Sequence, residues 1–366
     1  MKYLAVLGRL PKLSLAELES LFDNVEPRTP ALATFLSDET PDINRLGGTQ
    51  KIGVELPDGF NYLIDSLADL PEGKITLGVS DFRKRTNPFK AQGEALKIKK
   101  LLARRGRSVR VLQNKTAVLS TATSHHNQLA EKQNHLEIML TDFGNFQLTG
   151  VQNITEYAKR DQARPARDAK VGMLPPKLAQ ILINLCGPLE PNSVVLDPFC
   201  GTGVVLQEAS LMGYQPYGTD LSEKMVDYSR KNLDWLGCKN YQLEQGDATT
   251  FKWQNINAVA AEAFLGQPMS QPPADIKLKQ EKELCRTIVL GFFKNLSAQI
   301  KSGTPVVLAV PAWLRESGTY SRLNLLDEVE KLGYNVKKFI NLGEQDLLYY
   351  REGQVVARDI IVLRKK

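Results

Sequence analysis

The second half of the chain alternates short apolar runs with longer amphipathic segments. Apolar runs of this length predict buried strands, and segments with apolar residues three or four positions apart predict helices. This alternation is typical of a doubly wound sheet, which binds ligands at the carboxyl ends of its strands. The predicted strands are residues 194–196, 215–219, 241–244, 258–261, 305–310, 334–339 and 355–363, and residues 347–350 form a hairpin with the last of them.

The first half has shorter and more mixed elements, which predict two small α+β modules. Ser14 and Glu17 are three positions apart, and this spacing predicts a capping box at the start of a helix over residues 15–22. Further strands are predicted at residues 3–7, 31–36, 51–56, 75–79, 109–112, 136–140 and 146–151. The predicted domains are a ferredoxin-like module at 1–68, a second module at 69–152, a linker at 153–174 and the doubly wound domain at 175–366.

Length and composition agree with a globular protein of two or three domains. The chain has 366 residues, of which 42% are hydrophobic, and this fraction is enough for ordinary cores. No apolar run reaches the length of a membrane span, and Lys2 and Arg9 interrupt the N-terminal apolar stretch, so we expect a cytoplasmic protein without a membrane partner. The four cysteines lack Cys-x-x-Cys spacing and a neighbouring histidine, which predicts reduced thiols and no metal site.

Positive charge is concentrated in residues 82–110, where Glu94 is the only acid. Ala95, Ile98 and Leu102 keep helical spacing within this stretch, so one helix face packs and the rest is basic. A charge run is usually a solvated face, but such a face mixes both signs. We therefore predict contacts with RNA phosphates. The predicted RNA-binding residues are Arg83, Lys84, Arg85, Lys97, Lys99, Lys100, Arg104, Arg105 and Arg107.

A glycine-containing turn follows the first strand of the doubly wound domain, with the sequence Asp197-Pro198-Phe199-Cys200-Gly201-Thr202-Gly203. Gly201 and Gly203 permit backbone angles that a Cβ forbids, and the amides of the following helix point at a ligand. A dinucleotide fingerprint requires a third glycine where Leu206 stands, and a Walker loop requires Gly-Lys-Ser/Thr, which is missing. The turn therefore predicts a nucleotide cofactor of another kind.

Acidic residues follow the next two strands as well. Asp220 comes directly after the second strand, where an acid can accept the ribose hydroxyls of an adenosine cofactor. Asp247 follows the third strand. A helix cap explains one such residue, but three carboxylates at successive strand ends favour a cofactor site.

The predicted linker carries Arg160-Asp161, Arg164 and Arg167-Asp168. Two interpretations compete for these charges. Local Arg/Asp pairs can hold the linker, or an arginine fork can bind the cofactor or an RNA phosphate. We favour the local pairs.

The turn Asp197 to Gly203 resembles motif I of class I S-adenosylmethionine-dependent methyltransferases. The segment with Asn87-Pro88-Phe89 and Gly106-Arg107-Ser108-Val109-Arg110 resembles a THUMP domain. Together with residues 161–179 and 218–220, these features resemble the THUMP-domain tRNA guanosine N2-methyltransferases, which modify guanosine at position 10 of tRNA.

This resemblance implies an α/β fold, in which ferredoxin-like and THUMP-like modules precede a Rossmann-like domain with a seven-stranded sheet and an antiparallel last strand. It implies S-adenosylmethionine as cofactor and tRNA as partner. The implied cofactor-binding residues are Asp197, Phe199, Gly201, Gly203, Asp220, Leu221, Asp247 and Ala248.

The family's acceptor motif after the fourth strand is Asp-Pro-Pro-Tyr, and this chain has Glu262-Ala263-Phe264-Leu265 there. The resemblance implies that Glu262 binds the hydrogens of the guanine amine and that Phe264 stacks on the base. Two alternatives stay open. A degenerate homologue would bind cofactor and RNA without catalysis, because Glu262 and Ala263 depart from the motif. A DNA amino-methyltransferase would share motif I. The sequence identifies no protein partner, such as a small activating protein.

Overall fold

The computed structural model describes residues 1–57, 59–168, 173–343 and 345–366, which form two units. The first unit consists of Met1–Pro11, Phe22–Asn44 and Thr49–Glu156, and the second of Lys12–Leu21, Arg45–Gly48 and Tyr157–Lys366. Two short segments from the N-terminal region therefore belong to the second unit. The predicted boundary at residue 68 did not anticipate this division.

The helices, numbered in chain order, are α1 (Pro11–Leu21), α2 (Gly59–Ala68), α3 (Pro88–Arg104), α4 (Thr121–His126), α5 (Ile154–Gln162), α6 (Pro176–Leu185), α7 (Val204–Leu211), α8 (Glu223–Leu236), α9 (Asp275–Ser297) and α10 (Leu326–Lys331), with a short 3₁₀ turn at Ile43–Arg45. The strands are β1 (Lys2–Leu7), β2 (Asp23–Thr29), β3 (Leu32–Leu36), β4 (Thr49–Glu55), β5 (Ile75–Asp81), β6 (Val109–Val111), β7 (His135–Thr141), β8 (Gly144–Val151), β9 (Val194–Asp197), β10 (Gln215–Asp220), β11 (Gln242–Gln245), β12 (Ala258–Glu262), β13 (Pro305–Leu314), β14 (Tyr320–Ser321), β15 (Tyr334–Val336), β16 (Leu348–Tyr349) and β17 (Val356–Lys365).

A single mixed sheet runs through the first unit. Its strand order within the described residues is β2-β3-β1-β4-β8-β7-β5-β6, with β5 parallel to β6 and β7 and the other pairs antiparallel. The antiparallel pairing of β4 with β8 joins strands that the sequence assigns to separate modules at 1–68 and 69–152. The predicted linker at 153–174 also begins with a helix, α5, and its residues 169–172 lie outside the described part of the chain.

Helix α3 forms where the basic segment has its apolar spacing. Asn87 caps the helix by accepting a hydrogen bond from the Lys90 amide at 2.9 Å, and Pro88 occupies the first turn, where its missing N–H costs nothing. Ile98 and Leu102 are fully buried on the face that packs against the sheet of the first unit. The remaining face is exposed and carries four of the nine predicted RNA-binding residues, Lys97, Lys99, Lys100 and Arg104.

The second unit contains the predicted doubly wound sheet. Along its main path the strand order is β11-β10-β9-β12-β13-β17-β15. Strands β9 to β13 run parallel, and β17 pairs antiparallel with both β13 and β15. All seven predicted strands are present, and among the described residues two short strands, β14 and β16, extend the sheet to nine. The predicted hairpin is confirmed, since β16 pairs antiparallel with β17.

Helix α1 differs from its prediction. It begins at Pro11, so Ser14 and Glu17 lie within the helix and form no capping box. The Glu17 carboxylate instead accepts hydrogen bonds from the amides of Gly47 and Gly48 at 2.9 and 2.8 Å and from the Asn184 side chain at 2.8 Å. Burial raises the pKa of Glu17 to about 7, although these three donors favour the ionised form.

Among the described residues, no helix combines the length and apolar character that crossing a membrane requires. The same residues contain no group of three or more His, Cys, Asp or Glu side chains placed to hold a metal ion.

Candidate cofactor and acceptor site

The glycine turn lies between β9 and α7 in the second unit. Asp197 ends β9 and is 3% exposed, and its Oδ1 accepts a hydrogen bond from the Phe199 amide at 3.1 Å. Gly201 and Gly203 have φ angles of +51° and +80°, in the left-handed region that favours glycine. A Cβ on Gly203 would also lie 2.9 Å from the Ser229 hydroxyl oxygen. Both predicted glycines therefore have conformational reasons for their identity.

Asp220 ends β10 and connects two turns. Its Oδ2 accepts a hydrogen bond from the Gly201 amide at 2.9 Å, and its Oδ1 accepts one from the Ser222 amide at 2.9 Å. Each carboxylate oxygen keeps a further lone pair with which it can accept a ligand hydroxyl. Burial raises the pKa of Asp220, and the two amide donors oppose this shift. The neighbouring Leu221 is 70% exposed.

Asp247 lies in the turn after β11. The Gly246 amide of this turn donates a hydrogen bond to the carbonyl of Asp220, at the end of the neighbouring strand β10, at 2.9 Å. The Asp247 Oδ1 accepts hydrogen bonds from both the hydroxyl and the amide of Thr249, at 2.7 and 2.8 Å, and these bonds lower the pKa of Asp247. Asp247 thus caps its own turn. Its Oδ2 has no partner within the described residues. Ala248 is buried, and Asn295 fixes its carbonyl with a 3.1 Å hydrogen bond.

Three acidic residues, Asp197, Asp220 and Glu262, end the neighbouring strands β9, β10 and β12 at the carboxyl edge of this sheet. Burial raises the pKa of Asp197 well above its ordinary value, and the nearby Asp220 and Glu262 carboxylates raise it further. Ionised groups of one sign repel each other at low dielectric, so a cation bound beside Asp197 would favour its ionised form. A sulfonium with a neighbouring ammonium group, as in S-adenosylmethionine, fits this set of side chains.

Glu262 ends β12 beside this group. Its Oε1 accepts a hydrogen bond from Nε of Arg358, on β17, at 2.7 Å, and the two side chains form a largely buried ion pair. The second oxygen, Oε2, has no hydrogen-bond partner among the described residues. Phe264 is half-buried and packs against the main core of the second unit. Phe199 lies edge-on to Phe292, with ring centroids 5.4 Å apart.

The loop after Glu262 is tied to helix α9. The amide of Gln267 donates a hydrogen bond to Oε2 of Glu281 at 3.2 Å, and Gly266, with φ +83°, lies so close that a Cβ would be 2.7 Å from that oxygen. Trp313, on β13, is fully buried in the core of the second unit and therefore offers no ring face to a base.

Asn232, on α8, is a site residue that the sequence analysis missed. It is fully buried, and its side chain donates to the Thr202 carbonyl at 2.8 Å and to the Ala166 carbonyl at 2.9 Å, while accepting from the Ala166 amide at 3.0 Å. It therefore fastens the Ala166 segment to the glycine turn. A lone asparagine within an amphipathic helix gives no sequence signal for this role.

The charges of the predicted linker pair differently from our expectation. Arg160 binds Glu208 of α7, with Nε 2.7 Å from Oε1, and does not pair with Asp161. The Arg164 side chain is fully buried, and its Nη2 lies 3.8 Å from Oδ1 of Asp161 without a hydrogen bond. The local-pair interpretation is therefore wrong for Arg160, which is held by a helix of the second unit.

The nine predicted RNA-binding side chains fall into two groups. Four are engaged within the first unit: Arg83 with Asp81, Lys97 with Glu94, Arg105 with Asp65, and Arg107 with the carbonyls of Leu70 and Pro71. The other five are exposed and have no side-chain partner in the described part of the chain: Lys84, Arg85, Lys99, Lys100 and Arg104. The second group is the better candidate for an RNA surface.

Comparison with known proteins identifies the class of the second unit. Residues 189–290 match a family model described as a methyltransferase domain, and this range contains Asp197, the glycine turn, Asp220, Asp247 and Glu262. Residues 102–231 match a model described as a DNA methylase. The first match shows that residues 189–290, which include strands β9 to β12, are similar to a methyltransferase domain.

Two relatives place this chain near a particular enzyme, the tRNA (guanine(10)-N2)-dimethyltransferase. The protein of that name from Pyrococcus abyssi is 26% identical over 282 residues, which are 74% of this chain and 80% of the relative. The one from Methanothermobacter thermautotrophicus is 29% identical over 157 residues, which are 42% of this chain and 44%, less than half, of the relative. These relatives confirm the resemblance to tRNA guanosine N2-methyltransferases. That residues 69–152 form a THUMP domain stays a prediction.

Among solved structures, that of TrmN from Thermus thermophilus aligns over 100% of both chains with 18% identity and a TM-score of 0.49.

Proposed function

We propose that this protein transfers a methyl group from S-adenosylmethionine to the exocyclic amine of a guanosine in tRNA and forms N2-methylguanosine. The observation that carries the proposal is that Asp197, Asp220 and Glu262 end three neighbouring strands of one sheet, and that the Asp220 carboxylate binds the Gly201 amide of the glycine turn. The names of the two relatives support guanosine at position 10 as the acceptor. A cytoplasmic location, where tRNA is available, is part of the proposal.

The cofactor residues divide the work of binding. S-adenosylmethionine supplies an electrophilic methyl group on a positively charged sulfur. Asp220 would accept the two ribose hydroxyls, since the Gly201 and Ser222 amides already orient both of its oxygens. Asp197 would hold the positively charged part of the cofactor, and that charge would favour its ionised form. Phe199 and Leu221 would provide apolar contacts, and Asp247 and Ala248 would bind the adenine.

The guanine amine is a weak nucleophile, because its lone pair is delocalised into the ring. The acceptor residues must therefore orient it. Arg358 holds one oxygen of Glu262, so the other oxygen can accept a hydrogen bond from the amine and aim the nitrogen. Bound S-adenosylmethionine would supply the methyl group to this nitrogen, and its sulfur would leave as a neutral thioether that keeps the bonding electron pair. One amine proton passes to the Glu262 carboxylate, and Phe264 stacks on the base.

Incubation of the protein with methyl-labelled S-adenosylmethionine and unmodified tRNA tests the proposal. We expect label in tRNA, and nucleoside mass spectrometry should locate it in N2-methylguanosine or its dimethylated form. A tRNA whose guanosine at position 10 is replaced by adenosine is the control and should accept no label. Absence of transfer alongside binding of both ligands would contradict the enzyme and favour the degenerate RNA-binding homologue.

A DNA amino-methyltransferase is the second candidate, and one observation favours it: residues 102–231 match the model described as a DNA methylase. Competition between tRNA and duplex DNA for label transfer separates the two. Transfer to tRNA that a molar excess of duplex DNA leaves unchanged is the result we expect. Transfer to DNA with N6-methyladenine or N4-methylcytosine as product would replace the proposed acceptor.

The exposed face of α3 gives a prediction for RNA binding. Replacing Lys99 and Arg104 together by glutamine should raise the dissociation constant for tRNA about tenfold near physiological salt and lower the slope of log K against log salt by about one for each lost cation. Titrations at several salt concentrations measure both effects. The matched control replaces Lys115 and Lys132, exposed lysines of the same unit outside α3, by glutamine. Equal effects in both variants would assign the RNA contacts elsewhere.

A further inference from the structure

A basic cavity lies beside helix α9 in the second unit, and none of the residues assigned above lines it. It is about 360 Å³ in volume. Four cationic and two acidic side chains line it, over an apolar base of Leu278 and Leu323. The charged residues are Lys279, Lys282, Arg286, Arg315, Asp275 and Glu283.

The cations of this cavity come from one face of α9 and from the segment after β13. Lys279, Lys282 and Arg286 are spaced three and four residues apart, which places them on the same side of the helix. Arg315, directly after β13, brings a fourth cation to them. Helix geometry and sheet topology therefore both contribute to the concentration of charge.

The charges in the cavity are only partly compensated. Arg315 pairs with Asp275 at 3.2 Å, and Arg286 pairs with Glu328. Lys282 is half-buried, and its Nζ donates a hydrogen bond to the neutral hydroxyl of Ser321 at 3.3 Å, with no acidic partner among the residues that the structure describes. Burial, followed by repulsion from Arg315 and Arg286, lowers the pKa of Lys282. An anion bound in the cavity would offset this repulsion and favour the protonated form of the lysine.

The cavity lies close to the acceptor end of the sheet. Glu281, the residue before Lys282, anchors the loop that follows Glu262. Glu262 is paired in register with Ala309 of β13, and that strand continues five residues further to Leu314, about 17 Å at 3.4 Å per residue. A strand of RNA whose base reaches Glu262 can therefore place a phosphate, a few nucleotides away, at Arg315 and Lys282.

We propose that this cavity binds a backbone phosphate of the substrate RNA near the target nucleotide, with Lys279 and Lys282 as its main ligands. The inference rests on the proposed function, since that function makes RNA the ligand. The contact is independent of base identity, because phosphate carries no sequence information. It would fix the position of the strand while the acceptor residues engage the base.

Replacement of Lys279 and Lys282 together by glutamine tests the proposal. In the full-length protein with unmodified tRNA, we expect the dissociation constant to rise about tenfold and the salt slope to fall by between one and two. The KM for tRNA should rise more than kcat falls, and the dissociation constant for S-adenosylmethionine should not change. Lys279→Gln alone, at an exposed position, should give about half of the change in slope and guards against misfolding of the double variant.

The matched control replaces Lys294 and Lys301 by glutamine, which removes the same charge at exposed positions near the other end of α9. Equal tRNA affinity and salt slope in the two double variants would overturn the proposal. In a further experiment, inorganic phosphate is added to the wild-type protein with tRNA. Displacement of tRNA only at phosphate concentrations whose ionic strength explains it supports an RNA phosphate as the ligand. Displacement at much lower phosphate concentrations would show a site for free phosphate instead. If the wild type binds tRNA through these lysines but transfers no label, the proposed function fails and the cavity assignment stands.

Discussion

Replacement of Asp220 by alanine is expected to raise the dissociation constant for S-adenosylmethionine by about a hundredfold or more, measured by calorimetry. The carboxylate would bind both ribose hydroxyls, and charged hydrogen bonds contribute roughly 1.5–3 kcal/mol each, so losing two of them exceeds the 2.7 kcal/mol that corresponds to about a hundredfold. The substitution also leaves the Gly201 and Ser222 amides without their acceptor, so the glycine turn loses its orientation.

Two further variants separate these causes. Asp220→Asn keeps the size of the side chain but turns an amino group towards one of the two backbone amides, so it should bind cofactor almost as poorly as the alanine variant. Glu190→Gln, an exposed acid of the same domain, controls for the lost charge and should bind normally. Thermal unfolding reports whether each variant is folded. Cofactor affinity within twofold of wild type in folded Asp220→Ala would remove Asp220 from the cofactor site.

The sequence predicts those parts of the site that depend on local geometry. The turn from Asp197 to Gly203 follows a buried strand, and the left-handed angles of Gly201 and Gly203 are a local requirement that residue type reveals. Asp220 and Asp247 are predictable for the same reason, since each directly follows a predicted strand. The carboxyl ends of parallel strands lie at the same edge of a sheet, so the sheet topology accounts for the proximity of these acidic residues.

Contacts between distant elements could not be predicted in this way. Strand β2 has mostly exposed side chains and includes Pro27, which an edge strand tolerates, so it lacks the alternation that predicts a strand. Glu17 lies within α1, and its carboxylate accepts hydrogen bonds from the Gly47 and Gly48 amides, about thirty residues away in the sequence. The three-residue spacing between Ser14 and Glu17 matches that of a capping box, but the two residues do not cap the helix.

Arg358 shows a signal that sequence analysis could have used. It lies within the apolar strand β17, and a charge in a buried strand requires a partner. The partner, Glu262, is 96 positions away, and only the adjacency of β12, β13 and β17 in the sheet brings the two together. The sequence therefore indicates that Arg358 has an acidic partner but does not identify it.

Glu262 and Arg358 support the second large effect. Glu262→Gln should lower kcat roughly a hundredfold or more, because the amide cannot take up the amine proton and groups in this role contribute about 10²- to 10⁴-fold. The dissociation constant for S-adenosylmethionine should change less than threefold. Arg358→Met should also be nearly inactive, since Glu262 then loses the contact that orients its carboxylate. It should in addition lower the free energy of unfolding by about 3–5 kcal/mol, because it leaves a largely buried carboxylate without its partner.

The double variant Glu262→Ala with Arg358→Met distinguishes a role in catalysis from one in stability alone. Removing both partners of a buried pair should recover most of the lost stability, while methyl transfer stays absent because no acceptor for the amine hydrogens is left. Asp359→Asn, which removes the acid of the neighbouring Arg322–Asp359 pair, is the matched control and should weaken folding without a comparable loss of kcat. A double variant that regains both stability and methyl transfer would show that the Glu262–Arg358 pair only supports the fold, and that another group aims the acceptor nitrogen.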